Sequence, residues 1–321
     1  MGTQGRIASV TGGTGMVGEQ IVHRLISQGY SVRVLSRSSA RSDDHIEYVC
    51  GGLDDKNALQ RLVSGASAVF HCAAELRQAP LMWDVNVGGT ERLVTLLRAQ
   101  PVRTFCFISS AGVVGLTHAK WVTEDTPCNP QTEYEGSKWA AERIVAEAGI
   151  PGCQVVILRP TDVVDDRRPG ALALPMSGTW RDFLRVVLKG AECAHIVHAA
   201  DVADAALFFV DRGLPGVQRY FVSCDDDPQN TFAGLWSLYM GMKRNTAMGS
   251  LRPAMHMPII VPHLVRRALR GPANSGDVKY SPAKLLSEGF RYRVGVTGAV
   301  RRLIDRQAHG QPSSPPRKHV A

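Results

Sequence analysis

Tyr134 and Lys138 stand four residues apart in Tyr134-Glu-Gly-Ser-Lys138, a spacing that on a helix puts both on one face, one turn apart. Ser109-Ser110 ends an apolar, β-rich run at 105–108. These residue types suit one reaction. Moving a hydride to or from a secondary alcohol requires a proton to move at the oxygen in the same event. A free tyrosine, with a pKa of about 10, is a reluctant base near neutrality. A neighbouring ammonium and the positive charge of a nicotinamide favour the phenolate and lower that value. A serine hydroxyl then fixes the reacting oxygen. Tyr and Lys at this spacing also occur as an ordinary surface pair, so the reading needs a hydride carrier elsewhere in the chain.

A candidate carrier site lies near the N-terminus. Thr11-Gly-Gly-Thr-Gly-Met-Val-Gly18 follows a strand at 6–10 and opens a helix at 17–28. Gly12 permits a tight turn, Gly15 lets the backbone approach a pyrophosphate, and Gly18 lets the helix pack closely on a sheet. Thr14, Met16 and Val17 complete the loop, and the helix start offers free N–H groups to phosphates. An acidic residue ending the second strand would bind ribose hydroxyls. Here Leu35-Ser36-Arg37-Ser38 puts Ser36 in that place, followed by Arg37. A guanidinium and hydroxyls suit a 2′-phosphate, so NADP is expected ahead of NAD. A solvated loop arginine is the plain alternative.

The elements that must position these groups alternate. Short β-rich runs at 6–10, 31–35, 68–72, 103–108 and 153–158 are separated by helical patterns at 56–63, 88–98 and 135–147. Asn86 is expected to begin the helix before the 103–108 strand. Such alternation predicts an α/β fold, a Rossmann doubly wound parallel sheet covered on both faces. A later run at 218–223 is expected to rejoin that sheet. The rhythm loosens after about residue 165. The dinucleotide domain is therefore placed at 1–164 and 195–224. A smaller C-terminal substrate lobe takes 165–194 and 225–310, and 311–321 is a loose tail.

Composition excludes several classes. Of 321 residues, 44% are apolar and 21% charged, ordinary globular usage. No apolar run reaches the roughly 20 residues of a membrane span. The stretch 255–269 is broken by Pro258 and Pro262 and carries Arg266 and Arg267. The N-terminus lacks the pattern of a secretion signal, which points to the cytoplasm. Seven scattered cysteines without a Cys-x-x-Cys pair read as reduced thiols, with no metal site expected. The net charge of +8 is uneven: residues 251–321 hold 13 Lys and Arg against 3 Asp and Glu. A solvated basic face, attraction to an anionic ligand, and weak peripheral contact with an acidic membrane remain open. Nucleic acid is not an expected partner, because no recognition motif accompanies the charge.

Taken together the motifs resemble the extended short-chain dehydrogenase/reductases, a group including nucleotide-sugar epimerases, dihydroflavonol reductases and 3β-hydroxysteroid dehydrogenases. The similarity runs through Thr11–Gly18, His71-Cys-Ala-Ala74, Asn86–Thr90, Ser109–Gly115, Tyr134–Lys138, Leu158-Arg-Pro160, Ala200–Ala205 and Tyr280–Phe290, nearly the whole chain in order. The resemblance implies Ser110, rather than Ser109, with Tyr134 and Lys138 as the catalytic triad, supported by Asn86. It also implies that Lys138 binds the nicotinamide ribose, that Pro160 flanks the nicotinamide, that Cys72, Ala73 and Ala74 line the cofactor, and that Leu53 lies at the adenine end. A homodimer through the helices at 88–98 and 135–147 follows from the same likeness.

Departures from that family narrow the expectation. Gly51-Gly52-Leu53-Asp54 replaces the usual Gly-Asp-Leu, so the adenine contact is altered. Ala111 and Gly112 follow Ser110, which leaves no acid for water elimination. Asp162 replaces an asparagine typical of sugar-nucleotide epimerases, and Asn274-Ser-Gly-Asp277 lacks their diphosphate-holding arginine. The leading expectation is an NADP-dependent oxidoreductase interconverting a ketone and a secondary alcohol on a small molecule. A nucleotide-sugar 4-epimerase with tightly bound NAD(P) is the alternative, and a non-catalytic cofactor-sensing protein the third class. Met176, Trp180, Phe183, Met255 and Met257 suggest an apolar pocket, though core packing explains them equally.

Overall fold

The computed structural model describes residues 6–38, 45–170, 180–210, 212–214, 216–244, 256–270 and 274–308. In chain order the elements begin with β1 (Ile7–Thr11), α1 (Met16–Ser27), β2 (Ser31–Ser36), β3 (Ile46–Cys50), α2 (Lys56–Val63) and β4 (Ala68–His71). Next come α3 (Ala79–Met82), a π-helical turn (Trp83–Gly88), α4 (Gly89–Leu97), β5 (Thr104–Ile108), a 3-10 turn (Ala111–Val114) and β6 (Trp121–Val122). These lead into α5 (Glu133–Ala146), β7 (Gln154–Pro160), β8 (Asp162–Val164), α6 (Trp180–Lys189), β9 (Ile196–His198) and α7 (Ala199–Phe208). The chain continues through β10 (Val217–Val222), α8 (Phe232–Arg244), α9 (Ile260–Arg270), β11 (Lys279–Tyr280), α10 (Ala283–Ser287) and α11 (Gly295–Ala308).

Seven strands form one sheet in the order β10-β7-β5-β4-β1-β2-β3, with parallel pairing from β3 through to β7. This is the doubly wound arrangement expected from the alternation. The order reverses between β1 and β4, where such sheets open a crevice at their carboxyl ends. The run at 218–223 does rejoin the sheet, as the edge strand β10 beside β7. All residues of β5 and β7 are buried, as parallel strands covered on both faces must be. Leu93, Val94 and Leu97 of α4 and Ala141 and Val145 of α5 pack with Phe105, Phe107 and Ile157. The apolar faces of these two helices thus meet the sheet.

Local chemistry fixes the helix starts. Asp55 caps α2 by accepting from the Ala58 amide at 2.9 Å. At α5 the Thr132 hydroxyl takes the Glu135 amide while Glu135 reaches back to the Thr132 amide, a complete capping box. Asn86 does not begin a helix. It sits inside the π-helical turn, where the Gly89 amide bonds back to Asp84, five residues earlier. One residue too many is wound into that turn, a feature the helical periodicity of the sequence does not carry.

The chain divides into two compact units, one of Met1–Gly115, Pro127–Pro160 and Val202–Tyr220, the other of Leu116–Thr126, Thr161–Asp201 and Phe221–Ala321. In the second, β8 pairs with β9 and β6 with β11, each in parallel. Asp201 receives the Arg293, Val294 and Gly295 amides at 2.9–3.0 Å, which anchors the start of α11. His195 adopts a left-handed backbone (φ 54°) with its Nδ1 2.6 Å from the buried Asp225 carboxylate. The Tyr280 amide and the Asn230 side chain bind that carboxylate as well. Cys193, His195 and Asp225 bring thiol, imidazole and carboxylate within 4.8 Å of one another, a grouping that cysteine spacing does not announce. All seven cysteines carry free thiols. Among the described residues no helix is long and apolar enough to cross a membrane. Met176, Met255 and the 311–321 tail lie outside the described residues, as does the side chain of Trp180.

Candidate active site

The loop after β1 is shaped by its glycines. Gly12 has φ +68°, and a Cβ there would stand 2.6 Å from the Ala73 amide nitrogen. A Cβ on Gly18 would overlap the Gly12 carbonyl. The Gly15 amide closes the turn onto that carbonyl at 2.9 Å. On its other side Gly15 is open, since a Cβ there would meet only the Gly12 oxygen at 3.2 Å. No side chain caps the start of α1, so its first amides point to whatever occupies the loop. Open backbone beside uncapped amides fits a dinucleotide diphosphate. Thr14 is exposed here, with Met16 and Val17 half-buried.

The neighbouring strand ends meet this loop. Cys72 and Ala73 donate their amides to the Thr11 carbonyl and hydroxyl at 3.1 and 3.2 Å, and Ala74 follows in the same extended segment. Ser36 ends β2 buried, its hydroxyl turned to the Ser38 carbonyl at 2.8 Å. Arg37 is exposed beyond it. Its charge reaches Glu75, whose carboxyl is raised by burial but held below its ordinary value overall by the Arg77, Gln78 and Leu76 amides and by Arg37. Leu53 is buried where α4 begins, against Gly89. Pro160 ends β7, also buried.

The reactive residues converge at the end of β5. Ser109 donates to the buried Glu142 carboxylate at 2.8 Å, which commits its hydroxyl to the core. Ser110 instead lies beside Tyr134, whose phenol pKa it lowers, and its own oxygen accepts the Gly112 amide at 3.1 Å. Lys138 is buried, donates to the Ile108 carbonyl at 2.6 Å and rests 4.3 Å from the centre of the Phe107 ring. Burial pushes its ammonium down to about 8, against the raising influence of Cys72 and Glu142.

One electrostatic expectation is corrected. Tyr134 is not acidified by Lys138: burial raises the phenol above its ordinary value, the Ser110 hydrogen bond lowers it and Glu135 raises it. The ammonium is spent on Ile108, and desolvation outweighs one hydrogen bond. The phenol therefore keeps its proton at neutral pH.

The sequence reading missed a supporting layer. Glu142 receives Arg159 through two bonds of 2.6 and 3.1 Å and Arg219 through a third of 3.1 Å, all beneath Ser109. His71 bridges the Thr11 and Thr90 hydroxyls at 2.6 and 2.9 Å, and burial with the Lys138 charge pushes it down to about 3. Asn86 spends its amide on the Glu75 backbone at 2.7 and 3.0 Å and on the Ser137 hydroxyl at 2.9 Å. It braces the segment after β4 against α5. These partners lie 11 to 77 residues apart in sequence, so the motifs holding His71, Asn86, Thr90 and Arg159 were legible but their pairings, and Glu142 and Arg219, were not.

Fold and site together define a dinucleotide-dependent enzyme of the short-chain dehydrogenase/reductase group. Residues 8–220 match the model of the NAD dependent epimerase/dehydratase family, and the chain belongs to that family. It is 34% identical over 208 residues to an uncharacterized protein, y4nG, of Sinorhizobium fredii, a match spanning 63% of this chain and only 52% of that protein. Over 67% of the chain it is 29% identical to sterol demethylase protein B of Methylococcus capsulatus, covering 68% of that protein. Over 70% it is 29% identical to a 3 beta-hydroxysteroid dehydrogenase/Delta 5-->4-isomerase of Mycobacterium tuberculosis, covering 66% of that protein. Among solved structures, the Thermus thermophilus UDP-glucose 4-epimerase in complex with NAD aligns with a TM-score of 0.67 at 23% identity, over 94% of this chain and 98% of that one.

Proposed function

We propose that the protein is an NADP-dependent oxidoreductase that interconverts a ketone and a secondary alcohol on an apolar, ring-bearing small molecule. The observation that carries this reading is Ser110 beside Tyr134, with Lys138 one turn further along α5. The cofactor would lie on Gly12–Gly18, with Cys72, Ala73 and Ala74 along it, Leu53 at its adenine end, Pro160 beside the nicotinamide and Arg37 at a 2′-phosphate. When bound, it supplies or accepts the hydride.

The chain's own residues do the rest. Ser110 holds the substrate oxygen, with its acceptor side already taken by the Gly112 amide. Tyr134, protonated because it is buried, donates its proton to that oxygen as the ketone is reduced, and takes it back in the reverse direction. Lys138 acts through its bond to the Ile108 carbonyl, which fixes the end of β5 that carries Ser110. No carboxyl follows Ser110, which speaks against elimination of water.

The substrate class draws on two relatives named for sterol and steroid chemistry. The likeness to a UDP-glucose 4-epimerase supports a second reading, in which the same groups oxidise and re-reduce one carbon. Incubation with NADPH and a panel of cyclic ketones, beside UDP-glucose without added cofactor, separates the two. Consumption of NADPH with a steroid-like ketone is expected. Epimerisation of UDP-glucose with no ketone turned over would reject the proposal. The homodimer belongs to the same proposal and is tested by the mass in solution.

A further inference from the structure

Amphipathic helices of a folded domain ordinarily turn the apolar face inward, as α4 does with Leu93, Val94 and Leu97 buried and Glu91, Arg92 and Thr95 exposed. Two helices of the second unit leave large apolar side chains exposed. On α6, Val186 is buried, but Phe183, Leu184 and Leu188 are 55%, 46% and 39% exposed. On α9, Ile260, Val261 and Leu264 are 57%, 40% and 54% exposed. The Met257 amide donates to the Val187 carbonyl at 2.7 Å, so the chain entering α9 runs against α6, and Met257 is itself exposed. Seven of the eleven large apolar side chains exposed among the described residues belong to this one region. Apolar surface concentrated in this way marks an interaction site.

Charge selects the occupant. In the sequence of α9 apolar residues recur at 260, 261, 264, 265, 268 and 269, interleaved with His263, Arg266, Arg267 and Arg270. The sequence of α6 contains Arg181, Asp182, Arg185 and Lys189. The two helices carry six Lys and Arg against a single Asp. A second copy of the chain would bring the same positive charge to face its own. An anionic lipid surface instead receives the apolar side chains at the acyl boundary and places the cations at the headgroups. We infer that α6 and α9 form a docking face for an anionic membrane surface. The inference rests on α6 and α9 alone and does not depend on the reaction proposed for Tyr134.

The test is co-sedimentation of the full chain with phosphatidylglycerol-containing vesicles and with pure phosphatidylcholine vesicles, at low and high salt. Binding to the anionic vesicles is expected, weakened by salt. Ile260→Asp/Leu264→Asp and Leu184→Asp/Leu188→Asp should each lower the partition coefficient by about tenfold or more. Arg266→Gln/Arg267→Gln/Arg270→Gln should abolish the preference for anionic lipid. Unchanged stabilisation of each variant by NADP shows that it has folded. No partition onto anionic vesicles, or equal partition by the aspartate variants, would overturn the inference. So would a change in oligomeric mass in those variants without vesicle binding by the parent chain.

Discussion

Lys138 donates to the main-chain carbonyl of Ile108 at 2.6 Å, two residues before Ser110. The bond ties α5 to the end of β5 and buries a cation whose pKa falls from 10.5 to about 8. Between those two values the unfolded chain binds the extra proton, so the Lys138 share of stability rises with pH across that window. Lys138→Met should remove this rise. Near neutrality it should leave stability unchanged or higher while lowering turnover at least a hundredfold, by about 2.7 kcal/mol. Thermal unfolding against pH, beside the rate of NADPH oxidation, checks both halves.

Glu142 is the buried anion on which Arg159 and Ser109 depend, with Arg219 at its edge. Removing one partner of such a pair strands the other charge away from water. Glu142→Ala should cost about 3–5 kcal/mol in urea unfolding, and Glu142→Gln less, because the amide still accepts from Ser109. Equal stability of the alanine variant and the parent would show that the pair is not needed.

His71 is buried and neutral, its pKa lowered from 6.5 to about 3. As pH falls below 6.5 the unfolded chain protonates first and the folded one does not, so stability is lost progressively toward pH 3. The slope from this group approaches about 1.4 kcal/mol per pH unit. His71→Asn should flatten stability against pH between roughly 6.5 and 4 relative to the parent, since carboxylates contribute equally to both.

What the sequence could disclose depended on how local each signal is. The loop from Gly12 to Gly18 and the Tyr134–Lys138 spacing are properties of a few consecutive residues, so their types alone place them. Partnerships across the fold are different. Nothing near Ser109 in sequence names Glu142, and nothing in Asn86-Val-Gly-Gly-Thr90 shows that the turn is π-helical. The electrostatics of Tyr134 escaped for a related reason: spacing shows that an ammonium is near, but burial and the competing carbonyl of Ile108 decide what it does. Periodicity likewise marks α9 as amphipathic without saying that Ile260, Val261 and Leu264 are exposed.

Arg37 is exposed beyond β2, where a 2′-phosphate would lie. Arg37→Asp should raise the KM for NADP by about ten- to a hundredfold, the worth of a charge-assisted hydrogen bond, and leave that for NAD near its starting value. Steady-state kinetics with both cofactors decides it. An unchanged ratio would return Arg37 to the solvent.

Proton transfer by Tyr134 is the central step of the proposed reaction. Single-turnover hydride transfer from pre-bound NADPH to a ketone substrate tests it most directly, comparing the parent with Tyr134→Phe. The variant should bind NADPH as before and transfer hydride about 10²–10⁴-fold more slowly. Transfer at the parental rate, with cofactor bound, would contradict the account.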